Sequence, residues 1–142
     1  MFKYPLAVTI DTNIFDAAKF NWGEASPLRI LVNYVRRGKL KVVLSDIVVR
    51  ESKRHIAARV KEVCGIVNTA RNSALKVYNE HLISSIGMNE MFRIVESEDD
   101  IIAKEEKVFD DFLCAIDAEI LGTDLIDINS VLNIGVQGVQ TR

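Results

Sequence analysis

Two acids placed where apolar runs end carry most of the chemistry this sequence offers. Leu6-Ala7-Val8-Thr9-Ile10 leads straight into Asp11-Thr12-Asn13, and Val42-Val43-Leu44 leads into Ser45-Asp46 and then Glu51. The first run shows no alternation, so it reads as a strand buried on both faces, as in parallel α/β sheets. The second is again a short apolar strand, followed by a Ser able to cap a helix that carries Glu51 in its second turn. Ligands of such sheets sit just past the carboxyl ends of the strands, so Asp11 and Glu51 are expected at one rim. A carboxylate pair there suits a hard divalent cation: Mg²⁺ takes oxygen ligands, usually one or two carboxylates, and keeps several waters. Such a metal neutralises and orients a phosphodiester and lowers the pKa of the attacking water. Asn13 is expected to fix a metal water or a phosphate oxygen, and Thr12 to brace Asp11 through its hydroxyl. The plain alternative is an Asp that only satisfies turn amides.

The elements that must hold these residues follow from the pattern. Thr12-Asn13 begins a turn, and Asp16 to Glu24 is a mixed loop. Ser26 caps a helix that opens with Pro27, buries Leu28, Leu31, Val32 and Val35, and ends at Arg36-Arg37-Gly38. Residues 40–44 form the second strand. A third helix begins at Ser45-Asp46, with Val48, Glu51 and His55 on one face and Lys53, Arg54 and Arg59 supplying local positive charge. From Ile56 a stripe of Val60, Val63, Val67, Ala70, Ala74 and Val77 predicts a long helix broken near Gly65, its small residues allowing close packing on another helix. Gly87 and Asn89 mark a break, and Ser97 with Asp100 resembles a capping arrangement. The last periodic stretch, from Ile101/Ile102 through Ile116 to Ile120, reads as a helix stopping at Gly122. Residues 124–128 read as a short strand or covering segment, and those after them give no element.

Composition narrows the class. The chain has 142 residues, 49% hydrophobic and 27% charged, with two prolines; this is one globular domain with a proper core. A formal charge of −2 does not advertise a polyanion partner, so contact with one needs a local basic patch or a bridging metal. Cys64 and Cys114 stand apart in apolar stripes, as reduced core residues of a cytoplasmic protein do. The N-terminal apolar run is cut short by Asp11, unlike a signal peptide, and no window approaches the roughly 18 apolar residues of a membrane span.

The ordered pair Asp11-Thr12-Asn13-Ile14-Phe15 and Leu44-Ser45-Asp46-Ile47-Val48-Val49-Arg50-Glu51 resembles the PIN-domain ribonuclease family, in a version with a helical insertion after the second acid, here about residues 56–95. The likeness covers residues 5–128 as an order of elements, and the two motifs are its specific part. It implies a PIN-like α/β fold: a short parallel sheet flanked by helices, helix-rich, in one domain over residues 1–142. It implies a metal-dependent endoribonuclease, in a toxin, RNA-processing or defence role, that hydrolyses RNA phosphodiesters with Mg²⁺ or Mn²⁺ on Asp11 and Glu51. Asn13 matches the polar position after the first acid and joins the catalytic set. Thr12, Lys53, Arg54 and His55 are expected at the RNA substrate.

The family also has a third acid, usually an Asp opening a helix, and often a fourth in a Thr-x-Asp segment after a further strand. The nearest residues here are Asp117 and Thr123-Asp124, too close together for an intervening helix and strand, and Asp117 reads as a solvated acid of a helix. The expectation is an incomplete C-terminal part, with uncovered helix faces and a strand edge covered by self-association; a protein inhibitor is another partner to expect. The alternative function is a catalytically incomplete PIN-like fragment that works as a protein-interaction module through its long helices. A phosphatase of the haloacid-dehalogenase type needs a second Asp two residues after the first, and that position is Asn13. The acidic pair and phosphoacceptor strand of a response-regulator receiver are not found.

Overall fold

The computed structural model describes residues 3–91, 93, 94 and 96–122. In chain order the elements are β1 (Leu6–Val8), α1 (Thr12–Ala17), α2 (Pro27–Arg36), β2 (Leu40–Ser45), α3 (Asp46–Val77), α4 (Glu80–Ser85), α5 (Met88–Met91), α6 (Glu98–Ala115) and β3 (Glu119–Leu121). The strands form one parallel sheet in the order β1-β2-β3. Leu6 pairs with Leu40 and Val8 with Val42 on one side of β2, and Val43 pairs with Glu119 and Ser45 with Leu121 on the other. Parallel neighbours need long crossovers; α1 and α2 provide the first, α3 to α6 the second. The architecture is the PIN-like α/β arrangement expected from the sequence.

Among the described residues the chain splits into two compact units. One takes residues within Met1–Ser52 and Phe112–Arg142, the other Lys53–Asp111. In the first, the central strand makes the core: Val42 and Leu44 are fully buried, with Ile10, Phe15, Leu28, Val32 and Ile116. Phe15, on α1, meets Trp22 at 6.0 Å and Phe112 at 6.4 Å, while Trp22 stacks on Phe112 at 4.4 Å. This aromatic cluster fixes α1 from behind, and edge-to-face and offset pairs of this kind add to simple area burial. The loop between α1 and α2 turns through Lys19 and Phe20, both left-handed (φ 55° and 48°).

α2 matches its expected signals. Ser26 Oγ accepts from Leu28 N–H at 3.3 Å, and Pro27 takes the first helical position. At the far end Gly38 is left-handed (φ 68°); its N–H donates to Val35 O and that of Lys39 to Tyr34 O, both at 2.9 Å. These two bonds make a Schellman motif, in which Gly carries no Cβ penalty.

Several expectations are corrected. The turn after Asp11 is a short helix, α1, because Asp11 caps it with its own side chain. β1 is shorter than Leu6–Ile10 and is not buried on both faces: as a sheet edge it leaves Leu6 and Ala7 exposed, and Ile10 beyond it goes into the core. α3 runs unbroken past Gly65, since a single helical Gly with nothing near its Cβ position costs propensity without blocking the helix. Val63 and Val77, expected in a packed stripe, are 59% and 84% exposed. Cys64 is buried as expected, but Cys114 is exposed.

The largest correction lies at the end of α6, which stops at Ala115 rather than continuing to Ile120. Asp117 is left-handed (φ 48°). Its N–H donates to Cys114 O, and Ala118 N–H to Leu113 O, both at 3.0 Å. This is the same Schellman closure as at Gly38, and it releases Glu119–Leu121 to pair with β2 as a strand. Asp117 is therefore a helix-terminating residue, not a helical one. Thr123-Asp124 and the segment 124–128 lie outside the described residues. Within those described, no helix is long and apolar enough to cross a membrane.

Candidate active site

Both singled-out acids belong to the first unit, at the carboxyl ends of adjacent strands. Asp11 follows β1 as the N-cap of α1 in an extended conformation (φ −84°, ψ 153°). Its Oδ1 accepts from Thr12 N–H at 2.8 Å, and its Oδ2 accepts from Asn13 Nδ2 at 3.2 Å. A carboxylate with both oxygens engaged from its own loop is aimed by local chemistry alone. Asp11 and Asn13 are exposed, so this tip meets solvent.

Glu51 reaches the same place by another route. Ser45, the last residue of β2, caps α3: its Oγ accepts from Val48 N–H at 3.2 Å. Asp46 in the first turn complements the helix dipole and pairs with Arg50 at 3.7 Å. The helix carries the half-buried Glu51 in its second turn. There the Thr12 hydroxyl donates to Glu51 Oε2 at 3.0 Å. Thr12 is only 2% exposed.

The structure thus joins Asp11, Thr12, Asn13 and Glu51 in one hydrogen-bonded group. The sequence reading missed how: the backbone of Thr12, not its hydroxyl, braces Asp11, and the hydroxyl goes to Glu51. Nothing in residue type alone could have told which acid the hydroxyl serves. Asn13 braces Asp11 through its amide. Thr12, expected at the substrate, is buried.

Lys53, Arg54 and His55 follow on α3 within the second unit. Lys53 Nζ lies 2.9 Å from Asp110 Oδ1, so its charge is shared with an acid of α6. The sequence reading did not see this pair; the clustered acids of α6 were the available signal. Arg54 is exposed and His55 half-buried.

A hard cation fits the chemistry of the first group. Its donors are carboxylate and amide oxygens with no thiolate or imidazole among them, the set that Mg²⁺ and Mn²⁺ take. Among the described residues no cluster of three or more His, Cys, Asp or Glu side chains is placed to hold a metal.

Neither a curated protein nor a solved structure matches the chain. A family model does: the PIN domain, over residues 8–137. That span takes in Asp11, Glu51 and every described element except Leu6 and Ala7 of β1, and the chain belongs to the PIN domain family, a branch of the nuclease superfamily.

Proposed function

We propose that this protein is a metal-dependent endoribonuclease of the PIN type, hydrolysing RNA phosphodiesters in a toxin, RNA-processing or defence role. The observation that carries this reading is the hydrogen-bonded convergence of two carboxylates from neighbouring strand ends, reached through Thr12. Asp11 and Glu51 would hold Mg²⁺ or Mn²⁺, and Asn13 keeps Asp11 turned toward that position. A divalent cation bound there supplies charge neutralisation for the scissile phosphate and a water of lowered pKa. Lys53, Arg54 and His55, on the helix that carries Glu51, are the residues assigned to the RNA backbone. The family as a whole supports nucleic acid as substrate and a divalent metal as cofactor; the RNA class and the cellular role are this proposal's own.

The test is cleavage of a labelled RNA with Mg²⁺ or Mn²⁺, with and without a chelator, by the wild type, Asp11→Asn and Glu51→Gln. The reading expects cleavage that needs metal and both acids. Cleavage that survives both substitutions ends it.

A second reading has an observation of its own. In the helical unit Val63, Ile66, Val77, Tyr78, Leu82 and Ile86 are all exposed. A catalytically incomplete interaction module, self-associating or binding a protein inhibitor, accounts for that surface. Folded protein that oligomerises in light scattering yet cleaves no RNA with either metal would favour it.

A further inference from the structure

We infer that Thr12 is a positioning residue of the two-acid site, acting on Glu51 through its hydroxyl; the inference rests on the metal-site reading above. Asp11 and Glu51 differ in how much help they need. Asp11 is short and already held by a backbone N–H and by Asn13. Glu51 has a longer side chain with one more rotatable bond, and it projects from a helix belonging to another strand's crossover. An unrestrained Glu samples several rotamers, and only a few bring its carboxylate to the Asp11 tip.

Thr12 supplies one such restraint. Its N–H goes to Asp11 and its hydroxyl proton to Glu51, at 2.8 and 3.0 Å. A hydroxyl has one proton to donate, so that contact is committed to Glu51. Burial to 2% exposure keeps water from taking either place in the bond. The β-branched side chain is stiff at χ1, and α1 is anchored by the fully buried Phe15 three residues on. One residue therefore registers both acids against each other, although they come from different strands. Groups that orient ligands in this way typically contribute 10- to 100-fold in metal affinity.

The test titrates Mn²⁺ into the full-length protein by water-proton relaxation, for wild type, Thr12→Val, Thr12→Ser, Glu51→Gln and the Thr12→Val/Glu51→Gln double variant. Circular dichroism and the thermal midpoint report the fold of each. Thr12→Val, which keeps the shape but not the hydroxyl, should weaken Mn²⁺ binding about 10- to 100-fold. Thr12→Ser should recover most of it. The double variant should bind no more weakly than Glu51→Gln, because Thr12 acts through Glu51. Wild-type affinity in folded Thr12→Val, or a Thr12→Ser as weak as Thr12→Val, overturns the positioning role while leaving the metal site standing. A wild type that takes up no Mn²⁺, or a Glu51→Gln that binds as well as wild type, overturns the two-acid reading and this inference with it.

Discussion

The two joints at which a strand becomes a helix solve one problem in opposite ways. At the end of β1 the acid itself is the cap: Asp11 closes the first turn of α1 and stands at the tip. At the end of β2 the cap is Ser45, and the acid is held back until Glu51, in the second turn of α3. If the proposed metal site is right, the first joint merges structural and chemical duty in one residue. The second gives the cap to Ser45 and leaves Glu51 to accept from the Thr12 hydroxyl. The difference teaches that two carboxylates at one rim can have unequal claims on stability, since only Asp11 caps a helix.

That contrast is open to measurement. The largest effect should come from Asp11→Asn and Glu51→Gln, each keeping one acceptor oxygen, enough for the Thr12 donor, while removing the charge. Metal-dependent RNA cleavage should fall about 100-fold or more in both, at least the loss that follows removal of a group that merely orients a ligand, while thermal midpoints barely move. Next, Asp11→Ala should cost about 1 kcal/mol of unfolding free energy beyond Asp11→Asn, because Ala cannot cap and Asn can. Ser45→Ala should cost about the same in urea denaturation yet leave Mn²⁺ affinity unchanged. If Ser45→Ala and Asp11→Ala prove alike in both stability and metal binding, the division of duties at the second joint is wrong.

A similar contrast exists where helices return to strands. Gly38 and Asp117 hold the same left-handed position of the same motif. Gly38→Ala should lose about 1 kcal/mol, whereas Asp117→Gly should be neutral or gain up to about 1 kcal/mol as strain is relieved. The smallest effect concerns the β2–β3 pair. Lys41 sits 2.7 Å from Glu119. The hydrogen bond and charge of Glu119, with a lesser push from Asp117, raise its pKa above the ordinary 10.5. A raised lysine contributes stability that is present in full below pH 10.5 and is lost as pH climbs through the folded-state value. Lys41→Met should remove that alkaline limb from a midpoint-against-pH curve; since the pair is solvent-exposed, the limb will be shallow.

These joints also explain what the sequence made readable. An apolar run that ends in an acid is a local pattern, and so is Ser-Pro at a helix start; both can be read without knowing the partner. Gly38 announced the end of α2 for the same reason. Asp117 gave no such notice: Ile116 and Ile120 keep helical spacing, and only the backbone reveals that the chain turns left-handed between them. The target of the Thr12 hydroxyl was likewise hidden, because it depends on where α3 brings Glu51. The exposure of Val63 and Val77 was missed because periodicity tells which residues share a face, not whether anything covers it.

The register of β3 against β2 has a kinetic side. To pair Glu119 with Val43 the chain must first close a loop through α3, α4, α5 and α6. Loop closure grows only logarithmically, about 0.6 kcal/mol for each doubling of length, so this excursion can lengthen or shrink at little thermodynamic expense. Folding speed is more sensitive, because distant pairings form late. Sheet completion at β3 should therefore be a slow event in refolding, following the nearer β1–β2 pairing.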